Sequence, residues 1–190
     1  MAFDTLQLHT PRLLLRPLAA ADAPALLAIH ADPQVMRYWS TPPWTHIDTA
    51  LALVARDQAA MAAGKHLRLG LQRHSDGELI GTCTLFDLNP VCRRAELGYG
   101  LAAASWGQGL MHEALVALLD HGFQALNLNR VEADIDPRNT ASARILLRLG
   151  FVCEGLLRQR WIVGNEVSDS GLYGLLQRDW QARPAGGSMP

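Results

Sequence analysis

The chain has 190 residues, 49% hydrophobic and 18% charged, with a formal net charge of −1. That balance fits one globular domain with a proper core and excludes a disordered chain. A charge so near zero gives no field to steer the protein onto nucleic acid or an anionic membrane, and no apolar run approaches the length of a membrane-spanning helix.

Residues 10–18 read as a first strand, with Pro11 and Pro17 at its margins where a strand tolerates them. A helix is predicted from Asp22 to about Ala31 on Leu26, Leu27 and Ile29, broken by Asp32-Pro33. An aromatic loop, Met36-Arg37-Tyr38-Trp39, and a second break at Pro42-Pro43 lead to an Ala-rich helix over residues 45–63, with Gly64 as its C-cap. Leu67, Leu69 and Leu71 alternate with polar residues and Gly70, the period of a half-buried strand over 66–72. Asp76-Gly77 marks a hairpin turn into a strand over 79–87, and residues 94–101 form the next. After the loop 102–109, Met111, Ala114, Leu115, Leu118, Leu119 and Leu126 recur at helical spacing. A strand over 130–136 turns Val131, Ala133 and Ile135 to one face. Pro137-Arg138-Asn139-Thr140 then starts a helix with Ile145, Leu146 and Leu149 as its buried stripe, stopped by Gly150. Residues 151–161 and 167–176 make a final hairpin around Gly164-Asn165. This order predicts an α/β fold with a central mixed, mostly antiparallel sheet and helices on both faces. Residues 1–184 are expected to be one domain and 185–190 a flexible tail.

Met1-Ala2-Phe3-Asp4-Thr5 lacks the basic and apolar regions of a signal peptide. Cys83, Cys92 and Cys153 show no CxxC or Cys/His ligand spacing, so reduced thiols in a cytoplasmic protein and no metal are expected. A cysteine nucleophile has only its residue type in its favour.

Gly107-Gln108-Gly109 lies between a strand and the start of a long helix. Unpaired N–H groups and the helix dipole make such an end an anion site, and glycines allow close approach to a phosphate. By itself the pattern fits a tight turn equally well. A Walker loop would need Gly-Lys-Ser/Thr, yet Lys65 is the only lysine. The run Gly98-Tyr99-Gly100-Leu101-Ala102-Ala103 matches a dinucleotide fingerprint, but its glycines fall inside the strand and the acidic residue about twenty positions on, Asp120, falls inside a helix.

Ser105-Trp106-Gly107-Gln108-Gly109-Leu110-Met111-His112-Glu113-Ala114 resembles the acetyl-CoA signature of GNAT acetyltransferases, in the form used by ribosomal-protein N-terminal acetyltransferases of the RimJ/RimL type. The flanking strand Ala95-Glu96-Leu97-Gly98-Tyr99-Gly100-Leu101 is similar as well. So are Asn139-Thr140-Ala141-Ser142-Ala143-Arg144, the Leu149-Gly150-Phe151 step, Glu154-Gly155 and the substrate-side stretch from Asp32 to Trp39. One departure is Ala104, where GNAT loops commonly carry Gln or Arg, so arginine help for the phosphates has to come from elsewhere.

The resemblance implies acetyl transfer from acetyl-CoA to a primary amine by direct transfer in a ternary complex. Backbone amides around Trp106, Gly107, Gln108, Gly109, Leu110 and Met111 would hold the pyrophosphate. Leu97, Gly98, Tyr99 and Leu101 would present a strand edge to the pantetheine arm, with amides near Leu101 placed to stabilise an oxyanion. Asn139 would bind the pantetheine side, a role compatible with capping its helix. Glu96 is the candidate base for the amine proton; its alternative is a solvated glutamate paired with Arg93 or Arg94. Many GNAT members protonate the leaving thiolate with a tyrosine at the position of Leu146, so Ser142 is the substitute candidate, or else a CoA-contacting or helix-surface serine. Tyr38 and Trp39 are candidate acceptor-site walls, Asp169 and Glu154 are carboxylates open to an ammonium group, and His112 and His121 read as helix-face residues. The acceptor stays open among a protein N-terminal α-amine, placed first, a small amine such as a polyamine, amino acid or aminoglycoside, and a non-catalytic acyl-CoA-binding role. A monomer or homodimer is expected.

Overall fold

The alternating leucines bury completely: Leu13, Leu15, Leu67, Leu69, Leu71 and Leu85 are each 0% exposed. A computed structural model describes residues 2–183, so the tail expected at 185–190 lies outside them. Strands β1 (Leu8–His9), β2 (Leu13–Arg16), β3 (Leu67–Arg73), β4 (Leu79–Asn89), β5 (Arg94–Leu101), β6 (Arg130–Ile135), β7 (Val152–Val163) and β8 (Glu166–Leu176) form one sheet. Their order is β1-β2-β3-β4-β5-β6-β8-β7. Every pairing is antiparallel except that of β5 with β6.

Helices cover both faces. Leu115, Leu118, Leu119 and Phe123 of α4 (Leu110–Gln124) join the buried strand leucines in one cluster. The approach is close because residue 122 is glycine; a Cβ there would stand 3.1 Å from Leu85 Cδ1. The opposite face is covered by α1 (Ala23–Ala31), which packs on β4, and α3 (Ile47–Ala62), which packs on β3. Beneath α3, the buried Asp57 carboxylate lies 3.1 Å from Arg68 Nη1 and 3.6 Å from His66 Nε2. Arg68 Nε in turn donates to Thr84 Oγ1 at 3.0 Å. Burial lowers the pKa of Arg68 against the pull of Asp57. Among the described residues no helix is long and apolar enough to cross a membrane.

Four features depart from the sequence reading. The first strand gains a partner, β1, through Leu8↔Leu15 and His9↔Leu14. Asp32-Pro33 opens a short helix, α2 (Pro33–Met36), instead of only ending α1, because Asp32 Oδ1 accepts from the Gln34 N–H at 2.8 Å with proline at the first position. β4 outruns its predicted end by passing through a bulge: Phe86 pairs with Glu96 and Asn89 with Arg94, so Asp87 and Leu88 together oppose Ala95. A last helix, α6 (Gln177–Gln181), docks by donating the Trp180 indole N–H to Asp120 Oδ1 at 2.8 Å. It is too short for periodicity to reveal.

Asp57→Ala, which strands a buried guanidinium, is expected to lower the unfolding free energy in urea by about 3–5 kcal/mol. Leu147→Ala, on the exposed side of α5 (Thr140–Arg148), should change it by about 0.5 kcal/mol or less in the same assay.

Candidate active site

β5 and β6 pair through Arg94↔Arg130, Ala95↔Val131 and Glu96↔Glu132, and there the pairing stops. β6 continues beside β8 as far as Ile135↔Gly171, while residues 97–101 keep β4 as their only neighbour. The closed end of this gap is tied by charge. Arg94 Nη1 bonds Glu132, Arg130 Nε donates to Glu132 Oε1 at 2.7 Å, and Arg130 Nη1 donates to Glu154 Oε1 at 2.9 Å. Glu154 is thereby taken up by Arg130 and is not an open carboxylate for a substrate ammonium. Beyond the tie, β5 offers a free edge to an extended chain bearing amide groups.

At the open end lies the glycine loop. Gly107 and Gly109 have φ of +73° and +74°, conformations that side-chain-bearing residues resist. A Cβ on Gly107 would meet nothing within 4 Å, so the loop faces open space. The first backbone bond of α4 runs from the Glu113 N–H to the Gly109 carbonyl. The N–H groups of Gly107, Gln108, Gly109, Leu110, Met111 and His112 therefore have no acceptor among the described residues. Such a run of donors at a helix N-terminus fits a diphosphate. Trp106 does not join them: its N–H reaches the Ala103 carbonyl at 3.1 Å and its indole donates to the Leu101 carbonyl at 2.8 Å.

An arginine from a distant segment braces the glycine loop. Arg12 Nη1 donates to the Gln108 carbonyl at 2.8 Å, and its Nε sits 2.6 Å from Glu113 Oε2. Burial opposes charge on Glu113, but bonds from Thr10 and Arg12 outweigh it and hold that carboxyl below the usual range. No local pattern around Arg12 signals this, since its partners lie about a hundred residues on.

On the far side of the gap the Asn139 side-chain oxygen caps α5 by accepting from the Ser142 N–H at 3.1 Å. The Tyr99 hydroxyl donates to the Ser142 carbonyl at 3.4 Å, joining β5 to α5 below the cleft. Burial pushes the Tyr99 phenol up to about 12. The Ser142 hydroxyl has no protein partner among the described residues, and Leu146 is fully buried. Cys83 is buried and its thiol pushed up to about 12, which removes it as a nucleophile.

Glu96 looks to the α1/α3 face of the sheet. Arg93 turns away to the Asn127 carbonyl and Gln177, and Arg94 comes only to 3.9 Å of Glu96 while bonding Glu132. Burial first, then the carboxylates of Asp87, Glu132 and Asp134, hold the Glu96 carboxyl above its ordinary range against Arg94. Asp134 is itself paired with Arg160 at 2.9 Å. Asp169 accepts the Gln159 N–H at 2.8 Å, fixing the bulge in β7.

Trp39 rests on Gly100 of β5. Tyr38 lies further out, with the guanidinium carbons of Arg37 and Arg138 at 5.3 and 5.8 Å from its ring centre. Both arginines bond Glu166, and Arg138 also bonds the buried Asp136. Residues 36–39 are thus fastened to the β6–α5 loop and the β7–β8 hairpin. The sequence reading singled out Tyr38 and Trp39 but missed Arg138 and Glu166, which only the sheet order brings beside them.

A family model described as the acetyltransferase (GNAT) domain matches residues 12–152. The chain is 35% identical over 173 residues to the uncharacterised N-acetyltransferase p20 of Bacillus licheniformis, covering 91% of this chain and 97% of that protein. It is 27% identical over 172 residues to the spermidine N(1)-acetyltransferase of Escherichia coli K12, covering 88% of each. Mycobacterium smegmatis RimJ, solved in complex with CoA-disulfide, superposes with a TM-score of 0.79 at 28% identity, covering 90% of this chain and 86% of that one.

Gly109→Ala forces a side chain into the left-handed region at about 1–2 kcal/mol, and should weaken acetyl-CoA binding about tenfold by calorimetry. Arg12→Ala, which releases the Gln108 carbonyl, should weaken it to a similar degree.

Proposed function

This chain belongs to the GNAT acetyltransferase family and is an N-acetyltransferase; from that premise we propose that it transfers acetyl from acetyl-CoA to a primary amine, foremost a protein N-terminal α-amine, by direct transfer between two bound substrates. The observation that carries this reading is that the sheet opens immediately after Glu96. A candidate base and the donor groove therefore meet at one point of one strand.

In this scheme the amides of residues 107–111 hold the pyrophosphate, and the free edge of residues 97–101 holds the pantetheine arm. Asn139 steadies that arm from α5. The donor brings the acetyl group as a thioester. The acceptor arrives from the α1/α3 face, and Glu96, directly or through water, takes the proton that the amine must lose. The Ser142 hydroxyl, without a protein partner, stands on the α5 side to return a proton to sulfur. Holding both reactants in one geometry supplies most of the acceleration.

The likeness to RimJ over most of both chains supports the protein N-terminus. A small polyamine is the second reading, favoured by the spermidine acetyltransferase relative and by the Asp87 carboxylate near Glu96. Absence of a spanning helix in the described residues is compatible with the cytoplasm, where acetyl-CoA and nascent N-termini meet.

CoA-thiol release should occur with peptides bearing free N-termini and not with their blocked counterparts; release confined to a linear polyamine would move the acceptor to the second reading. A base works only when ionised, so kcat/KM should fall as pH drops through the raised pKa of Glu96, above the usual carboxylate range. Glu96→Gln should cost about 10²–10⁴ in kcat/KM at neutral pH. The loss should shrink toward alkaline pH, where an α-amine of pKa about 7.7–8 arrives already neutral. A loss independent of pH would remove Glu96 from the role.

A further inference from the structure

Beyond Glu96, the acceptor-side face of β5 carries two glycines, and an aromatic ring stands by its edge on each. A Cβ on Gly98 would lie 3.3 Å from Phe86 Cε1 and 3.9 Å from Cδ1. One on Gly100 would lie 2.9 Å from Trp39 Cζ2 and 3.5 Å from Cη2. Successive same-face residues of a strand are about 6.5–7 Å apart, and carbon atoms settle at about 3.5–4 Å from one another. Rings over neighbouring same-face positions of one strand can thus flank a single row of methylene-sized atoms.

The Trp39 ring is held by its neighbours. Trp39 meets the His30 ring edge-on at 5.1 Å, and His30 stacks on Trp44 at 4.1 Å with 15° between planes. The Trp44 N–H returns to the His30 carbonyl at 2.9 Å, and His30 is buried. Phe86 is anchored from a different element, immediately before the Asp87–Leu88 bulge of β4, where Asp87 adopts a φ of +47°. The two glycines lie on the stretch of β5 that has no β6 neighbour, so the space between the rings opens toward the donor groove.

We propose that Phe86 and Trp39 are specificity-determining residues, forming a slot that admits an amine only on an unbranched carbon, as a –CH2–NH2 group. This rests on the acetyl transfer to a primary amine proposed above and narrows its acceptor. An N-terminal glycine and the end of a linear polyamine both present that group; an N-terminal valine does not. Tyr38, at the outer mouth among Arg37 and Arg138, has no part in the selection.

The test is kcat/KM, by CoA-thiol release, for two matched pairs: peptides differing only in Gly or Val at the N-terminus, and n-butylamine against sec-butylamine. The peptide pair and the alkylamine pair together separate a protein from a small-molecule source. The wild type should prefer the unbranched member by about tenfold or more, the least that one misplaced methylene costs in a fitted apolar site. Trp39→Ala and Phe86→Ala should each bring the ratio down about tenfold or more by admitting the branched member, while Trp39→Phe, which keeps a ring on Gly100, should retain most of the preference. Thermal unfolding identifies a variant that fails to fold, and the wild-type ratio then decides alone. A wild-type ratio near one, or a ratio unmoved in folded alanine variants, overturns the slot while leaving acetyl transfer standing. Tight acetyl-CoA binding with no thiol release from any amine overturns acetyl transfer itself, and the slot with it.

Discussion

Three residue pairs hold β5 to β6, and their end is the constraint from which the site follows. Twisted strands that part leave two unpaired edges inside a sheet, which would be costly if both were buried without partners. β6 pairs with β8 on its other edge, so the splay leaves open the facing edges of residues 97–101 of β5 and 133–135 of β6, inside the sheet where a bound chain can satisfy both. The gap is kept to one end by the run of charge from Arg94 through Glu132 and Arg130 to Glu154, which spans β5, β6 and β7. Isolated surface pairs contribute little, but this set is partly sheltered and shares partners, so each side chain is already held when the next contact forms.

The same run of charge shapes the chemistry beside it. Arg94 commits its guanidinium to Glu132, leaving Glu96 with only a distant contact. With the nearest cation diverted, burial and the surrounding carboxylates decide how tightly Glu96 holds a proton. A structural tie thus makes a neighbouring acid more basic without touching it.

Most of the framework was legible because alternation and capping are local. The leucines of β3, the bounds of β5 and the helix stripe of α4 all read directly from spacing. So did Asn139 as a cap and the glycine loop ahead of α4. What escaped depended on contacts between distant residues. Arg12 reaches the glycine loop because β2 begins beside the start of α4, and Phe86 meets Gly98 because β4 lies against β5. Arg138, Glu166 and Arg37 converge on Tyr38 from three separate segments. The α2 turn escaped for another reason: Asp32-Pro33 ends one helix and begins the next with the same two residues.

β5 alternates, with Ala95, Leu97 and Leu101 in the core cluster beside α4 and Glu96, Gly98 and Gly100 toward the other face. Donor-side packing and the proposed acceptor floor thus interleave along one strand and share no side chain. Changes at the even positions, or in the aromatic residues that rest on them, can accumulate in a lineage without disturbing the core that fixes the donor groove. A strand built this way lets substrate range diverge between descendants while the shared half of the reaction is inherited intact.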